Sequence, residues 1–388
     1  MEKRFKLTNT YKIVSIVLIA IGISAVIVGA IGDGQRLWAN LLLNNFYFLS
    51  LAVGASFFMA IQYITQSGWS SMFKRIPEAM TAYIPVAFIL MLVLLGGLHS
   101  LFHWTHADAV ANDPFLQHKE PYLNIPFFTI RFVVFFIAWI LLTFMLRRFS
   151  RKEDEVGGMK YFLKSEFYSR IYIFVLGITF IFFTFDWIMS IDPHWYSTVF
   201  AVKGFVTAFY HGSAIIVLII ILLHNQGYFN KLNKSHLLDF SRYIFMLAII
   251  WGYLTFVEFM LIWYGNIPEE TMYFAYRFNN GYEALFYINF GINWFIPFLI
   301  LMSRHLDRRK ASVAAVAIIL IFGQWIDHYF QIMPGTLGEA TFGFIEIGTF
   351  MGFGGLFALV FGYALSRKGL IPKNHPYLEE SIYHHVEQ

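Results

Sequence analysis

The sequence contains no cysteine and little charge. Without thiols the chain cannot form a disulfide, ligate an iron–sulfur cluster through thiolates or attach a c-type haem, so any such centre must belong to a partner. Only 13% of its 388 residues are charged, whereas 58% are hydrophobic. Too few polar groups remain to cover a soluble globule, and no polar stretch exceeds roughly 30 residues, too short for a separate soluble core. The composition therefore predicts an integral membrane protein.

Ten apolar segments determine the predicted fold. A transmembrane helix requires about 20 mostly apolar residues, and each of these segments reaches that length. We therefore predict an all-α fold with ten transmembrane helices in one membrane domain. The predicted spans are residues 13–32, 41–64, 80–102, 126–146, 170–190, 199–222, 241–263, 281–302, 311–331 and 341–365. Both termini then lie on one side, with residues 366–388 as a cytoplasmic tail.

Basic residues are concentrated on one side of these spans. Of the 28 Lys and Arg residues, 23 lie at the N terminus, after even-numbered spans or in the tail. Because cytoplasmic connections carry the excess of Lys and Arg, both termini are predicted to be cytoplasmic. The net charge of +4 thus reports topology and gives no indication of nucleic-acid binding. Residues 147–170 are expected to meet anionic lipid headgroups, and "QSGWSSMFKRIPEAM" (66–80) is predicted to form an interfacial amphipathic helix.

Ionisable residues within the predicted spans form a layer near the outer face. Odd-numbered spans carry His99, Asp186, Glu258, Asp327 and His328 near their outer ends. Even-numbered spans carry Arg131, Lys203, Glu283 and Glu346 just after entry. His211 lies deeper, near the middle of the sixth span at a rise of about 1.5 Å per residue.

Some of these residues have an alternative, purely structural interpretation. Arg131, Lys203 and Glu283 have side chains long enough to reach the headgroups. His211 fits a hydrogen-bonded histidine between helices, and Glu346 precedes a glycine-rich face that is typical of close helix packing.

The short acids are harder to explain in this way. An unpaired acid at a helix centre costs about 2.5–3.5 kcal/mol, so such residues usually face a bundle interior or a water-filled cavity. We therefore predict proton handling by Asp186, His211, Glu258, Asp327 and His328. A membrane-confined quinol is a suitable substrate, because its oxidation frees two protons that a histidine and a carboxylate can accept.

Two stretches carry a family resemblance. They are "FDWIMSIDPHWYSTVFAV" (185–202) and "HADAVANDPFLQHKEPYLNIPFFTIRFVVFFIAW" (106–139). Together with the ten-span plan, they resemble the membrane subunits of alternative complex III, a bacterial quinol:electron-acceptor oxidoreductase. These subunits belong to the NrfD and polysulfide-reductase membrane-subunit superfamily, and the resemblance covers essentially the whole chain.

The resemblance implies an architecture and a set of partners. Spans 2–5 and 6–9 would form two four-helix bundles in the bacterial cytoplasmic membrane, with spans 1 and 10 peripheral. A similarity between "FDWIMSIDP" and "GQWIDHYFQIMP", at the ends of spans 5 and 9, agrees with this plan. The expected partners are a second NrfD-like membrane subunit, an iron–sulfur subunit, multihaem cytochrome c subunits, a terminal oxidase and lipids.

The resemblance also implies a menaquinol pocket in the first bundle near the outer face. His99, Asp186 and Arg131 are the candidate quinol-binding residues. Haem c and iron–sulfur clusters would belong to the partners, so this chain would be a subunit with no redox centre, metal site or covalently bound cofactor. The sister subunit is the better candidate for the productive quinol site, which leaves proton movement or a scaffold role for this copy.

Two other functions stay open at this stage. A secondary transporter usually has helices broken near mid-membrane, and Pro297 lies in such a position, but the acids cluster outside the midplane. A b-type cytochrome requires facing histidine pairs; His99, His211 and His328 lie on different spans, and no clear second pair exists.

Overall fold

The regular structure of the chain is helical. The computed structural model describes residues 4–386, and within them there is no strand, only an isolated bridge between Arg4 and Gly369. Ten helices in this range are long and apolar enough to cross a membrane. They are α1 Asn9–Gly32, α2 Gly34–Ile64, α3 Ser71–Leu101, α4 Ile125–Val156, α5 Met159–Ile191, α6 Thr198–Asn225, α7 Lys234–Gly265, α8 Pro268–Met302, α9 Lys310–Leu337 and α10 Phe344–Ser366. The prediction of an all-α, multi-pass membrane protein is confirmed at this level.

Several helices extend well beyond the predicted spans. The helix predicted to begin at residue 80 begins at Ser71, and the one predicted to end at residue 146 continues to Val156. Their added turns carry charges that pair with each other, as in the 2.9 Å contact between Lys74 and Glu153. Such pairing satisfies polar side chains inside the protein, so the helices need not stop where the apolar runs stop. Residues 387–388 of the predicted tail lie outside the described residues.

The contacts between helices follow two closed rings. α2, α3, α4 and α5 pack one against the next, and α5 returns to α2. α6, α7, α8 and α9 do the same, and α9 returns to α6. α2 lies between the rings because it also contacts α6 and α9. α1 and α10 form an extensive pair that packs on α2 from the outside.

Consecutive helices run in opposite directions, so their ends collect at two faces. We call the face at which Arg4 meets Gly369 the terminal face and the other the opposite face. At the opposite face the Gln35 side chain, at the start of α2, donates to the carbonyl of Thr336 near the end of α9.

Glycines allow close contact between helix backbones where α2 crosses α6. A Cβ on Gly54 would lie 1.8 Å from the carbonyl oxygen of Ala208, and one on Gly212 would lie 2.6 Å from the backbone of Gly54. A similar contact joins α1 to α10, since a Cβ on Gly22 would lie 2.4 Å from the Cα of Gly352. The second contact agrees with the expected packing role of the glycine-rich face that follows Glu346.

The terminal face is closed by a cluster of charged side chains. Lys74 pairs with Glu153, and Arg75 pairs with Glu78 at 2.6 Å and donates to Ser150 at 2.9 Å. His375, from the segment after α10, lies 3.8 Å from the Glu153 carboxylate. Burial and then the Lys74 and Arg75 cations lower the pKa of His375 to about 2, so this imidazole is neutral.

The interfacial amphipathic helix predicted for residues 66–80 is wrong. Met72, Phe73 and Ile76 are fully or almost fully buried inside the protein, so they do not face a lipid surface. The chain after α10 covers this segment: the Ser381 hydroxyl donates to the carbonyl of Trp69 and accepts from the backbone N–H of Met72. The apolar spacing is present, but its side chains pack inside the protein, as Phe73 does against the rings of Phe229, His236 and Phe240.

We expect Gly54→Ala to lower the free energy of unfolding by about 1–3 kcal/mol, because overpacking at this site acts on backbone that cannot yield easily. Gly177→Ala in α5 is the matched control, since a Cβ there would meet nothing within 4 Å. Unfolding in mild detergent measures both. Equal stability of the two variants would show that the crossing tolerates a wider helix separation.

Candidate functional site

The best-defined candidate site is a buried ion pair within the α6–α9 ring. The Lys203 ammonium lies 3.1 Å from Oδ1 of Asp327, which is fully buried. Asp327 also accepts hydrogen bonds from Asn289 at 2.9 Å and Gln331 at 2.8 Å. Lys203 lies 5.2 Å from the ring centroid of Trp251. The Lys203 ammonium and the two amides all donate to the Asp327 carboxylate. These buried polar groups therefore have hydrogen-bond partners that lipid could not supply.

A chain of amides continues from this pair toward the middle of the helices. Asn293 donates to the side-chain oxygen of Asn289 at 2.6 Å and to the carbonyl of Gly323 at 2.8 Å. Gln324 donates to the Asn293 side chain at 2.9 Å, and Tyr210 donates to the Asn293 carbonyl. Asn293 lies within a π-helical turn of α8, Gly291–Phe295, a type of irregularity that is frequent at functional sites.

Glu258 connects the ion pair to the opposite face. Its carboxylate accepts a 2.8 Å hydrogen bond from the hydroxyl of Ser197, a half-exposed residue in the connection before α6. A cavity of about 10 Å³ lies between Glu258, Lys203, Asn289 and Gln331, a volume close to that of one water molecule. Glu258 differs from Asp327 in one respect: among residues 4–386, its carboxylate accepts a hydrogen bond from a neutral hydroxyl only.

Two histidines lie beside the Tyr47 ring at the inner end of this arrangement. His328 follows Asp327 in α9, and its Nδ1–H donates to the carbonyl of Gln324 at 2.7 Å. His211 in α6 is fully buried, and neither of its ring nitrogens has a hydrogen-bond partner among residues 4–386. The Tyr47 ring lies 4.3 Å from the His211 ring and 5.9 Å from the His328 ring. The structure therefore brings together four of the five residues predicted to handle protons: His211, Glu258, Asp327 and His328.

The fifth, Asp186, belongs to a separate site in the α2–α5 ring. Arg131 donates from Nε and from a terminal nitrogen to its two carboxylate oxygens, both at 2.9 Å. The guanidinium also donates to the carbonyl of Tyr122 and lies 3.9 Å from the centroid of that ring. Burial, together with the nearby Asp186 charge, raises the pKa of the Tyr122 phenol. Two of the predicted quinol-binding residues are thus paired with each other.

His99, the third predicted quinol-binding residue, has different neighbours. It is exposed at the opposite face, where its Nδ1 lies 3.0 Å from the Thr105 hydroxyl. Its ring lies 5.2 Å from the His106 ring, and the His103 ring lies 6.2 Å from His106. Within the described part of the chain no hydrogen bond or ring contact joins His99 to Asp186.

Of two other predicted residues, Glu346 has a structural role and Glu283 lies at the surface. Glu346 forms a 2.6 Å ion pair with Arg36 and accepts from Asn40 at 2.9 Å, so it attaches the start of α10 to α2. Glu283 is exposed, as expected for a side chain that reaches the headgroups.

The neutral members of the site were not predicted from the sequence, although their spacing contained a signal. Asn289 and Asn293 are four residues apart on α8, and Gln324, Asp327 and Gln331 follow i, i+3, i+7 spacing on α9. Both patterns place polar groups on one face of a helix. Arg277 was also missed: it is fully buried, pairs with Asp192 at 2.8 Å and lies 3.4 Å from the Tyr273 ring.

Fold and site together define a multi-pass helical membrane protein with a polar network in one half of its interior. A scan of the sequence against protein-family models finds no match, and a search among curated proteins finds no significant match. Among residues 4–386, no three His, Asp or Glu side chains are grouped to hold a metal ion.

We expect Lys203→Met and Asp327→Asn each to destabilise the protein by about 3–5 kcal/mol, because each leaves a buried polar partner unsatisfied. The double variant K203M/D327N should be more stable than either single variant. Unfolding in detergent measures all four members of this cycle. Additive losses would show that the two side chains do not depend on each other.

Proposed function

We propose that this chain is a membrane subunit of a bacterial quinol:electron-acceptor oxidoreductase of the alternative complex III type, and that its α6–α9 ring handles protons. The observation that carries the proposal is the polar arrangement that runs from Ser197 and Glu258, across the small cavity, to the Lys203–Asp327 pair and on to Asn293. Charged and amide side chains inside transmembrane helices usually line ion or proton pathways. The two contact rings α2–α5 and α6–α9 support the two-bundle plan that the family resemblance implies.

The sidedness of the arrangement fits a proton that is released outside. With 23 of 28 Lys and Arg residues near the terminal face, that face is the cytoplasmic one in our proposal. Ser197 and Glu258 then lie at the outer face, where protons from quinol oxidation leave the protein.

Glu258 is the residue we assign to proton exchange. It is about 95% buried and borders the small cavity together with Lys203, so a proton on its carboxyl can pass to the Ser197 hydroxyl and the outer surface. Asp327 accepts from three donors and balances the Lys203 charge, which suits a fixed counter-ion. His211 and His328, close to Tyr47, are the inner groups able to accept protons.

Quinol contact by this copy receives less support than proton handling. Asp186 and Arg131 use their strongest hydrogen-bonding groups on each other, and His99 faces outward. We assign the Arg131–Asp186 pair to holding α4 against α5, which is consistent with a productive quinol site in the sister subunit.

The outer face has the properties of a docking surface for the partner subunits. Its connections are held to each other: His194 pairs with Asp113, and this hydrogen bond lowers the pKa of the Asp113 carboxyl. Lys119 donates to the carbonyl of Pro193, and the Trp195 ring stacks on Tyr273 at 3.9 Å. Phe115 and Tyr196 are exposed in the same connections, and an ordered surface of this kind suits an extrinsic subunit that holds the iron–sulfur clusters and haems.

A secondary transporter is the second candidate, because α8 is interrupted by two π-helical turns, Phe278–Tyr282 and Gly291–Phe295. Helices broken beside polar groups are typical of transporter sites.

We expect the native protein, extracted in mild detergent, to copurify with c-type haem and an iron–sulfur subunit. A reduced-minus-oxidised spectrum and peptide identification of the copurifying chains test this. A colourless protein without partners would overturn the assignment, and proton-coupled solute uptake by that protein in vesicles would favour the transporter.

In the isolated complex, Glu258→Gln should slow quinol oxidation by about 10²-fold, because a lost acid–base group commonly costs this much. Glu283→Gln is the matched control: it makes the same change near the same face at an exposed position and should leave turnover unchanged. Steady-state quinol oxidation measures both, with subunit composition checked by gel. Normal turnover in E258Q with intact composition would remove Glu258 from the pathway.

A further inference from the structure

A large cavity lies far from the candidate site, at the terminal face. It has a volume of about 710 Å³ and is bordered by the ends of α1, α3, α4 and α10, a size typical of ligand sites. Part of its wall is apolar, including Ala79 of α3, Phe144 of α4 and Val360 of α10. Phe144 is 47% exposed within an apolar span, so the cavity opens toward the lipid-facing surface.

The charges around this cavity are unbalanced. Six cationic side chains border it: Lys12, Arg75, Arg147, Arg151, Arg367 and Lys368. The single acidic neighbour is Glu78, which already pairs with Arg75 and accepts from Ser150. Apart from Arg75, none of these cations forms a salt bridge with any carboxylate in residues 4–386.

Two guanidinium groups there have unused donors. The Nε atoms of Arg75 and Arg147 are buried and have no hydrogen-bond partner within the described chain. Arg75 as a whole is 4% exposed. Buried donors are nearly always hydrogen-bonded, so a missing partner at a basic cavity indicates an anionic ligand.

We propose that this cavity binds an anionic phospholipid. The headgroup phosphate would lie against Arg147, Arg151 and Lys368, and an acyl chain would follow Phe144 and Val360 toward the bilayer. A soluble anion would use the cations but leave the apolar wall without a function, whereas a phospholipid uses both. Basic pockets between transmembrane helices at the cytoplasmic side suit such headgroups. This proposal is independent of the proton-handling function.

The test compares lipids on the full chain, purified with whatever copurifies. Native mass spectrometry counts bound lipid after incubation with mixed micelles of phosphatidylglycerol and phosphatidylcholine in equal amounts. We expect selective binding of phosphatidylglycerol. In R147Q/R151Q its affinity should fall about 30-fold, since each basic residue near an anionic headgroup contributes about fivefold.

Arg148→Gln/Lys152→Gln is the matched control, because it removes the same charge from neighbouring positions of α4 that do not border the cavity. It should keep the wild-type selectivity. Equal binding of both lipids by the wild type, or equal losses in the two double variants, would overturn the proposal. Displacement of the lipid by inorganic phosphate would also overturn it, because the site would then recognise a soluble anion. A thermal melt confirms that each variant is folded.

Discussion

The crossing of α2 over α6 at Gly54 and Gly212 is the contact on which the rest of the structure depends. These are the two most buried of the ten helices, and their backbones touch because neither residue has a side chain. Close approach brings Tyr47 of α2 to the histidines of α6 and α9. A larger residue at the crossing would push the two rings of helices apart. It would also move Tyr47 away from the histidines at the inner end of the polar network. Small residues serve this purpose in membranes, where apolar burial alone does not favour one helix contact over lipid.

The second constraint is the need to satisfy polar groups in the absence of water. In each ring a cation from one helix meets an acid from another: Lys203 meets Asp327, and Arg131 meets Asp186. The two pairs differ in what surrounds them. The first is extended by amides and lies beside Glu258, so it belongs to the polar network to which we assign proton handling. The second uses both carboxylate oxygens on one guanidinium, which gives a rigid link between α4 and α5. In our proposal, the same chemical pairing therefore serves proton exchange in one ring and holds two helices together in the other.

Apolar runs of about 20 residues predicted the class and the number of helices, because a bilayer imposes that length. Helix ends were less predictable. Composition cannot show that Lys74 will find Glu153, and such pairs allow α3 and α4 to continue through charged turns. The titratable members of the site were recognisable from the sequence, because a charged side chain in a transmembrane helix has a high free-energy cost. Asn289 and Asn293 were not recognisable, because an amide in a helix has a lower free-energy cost and is common there. The number of residues between His99 and Asp186 likewise could not show that the two side chains lie in different environments.

The polar network reaches one face only, and this limits what the chain can do by itself. Beyond His211 the sequence of α6 continues "AIIVLIIILL" (214–223), and α9 before Gln324 reads "SVAAVAIILIFG" (312–323). Neither run contains an ionisable side chain, so no proton carrier in these helices connects His211 or Gln324 to the terminal face. A network of this form can take protons from, or release them to, the opposite face without letting them leak across the membrane. Translocation across the whole bilayer would require a second pathway, either through the other ring or through a partner subunit. Release of quinol protons at a single face requires no second pathway. The proposed function therefore agrees best with the arrangement of these side chains.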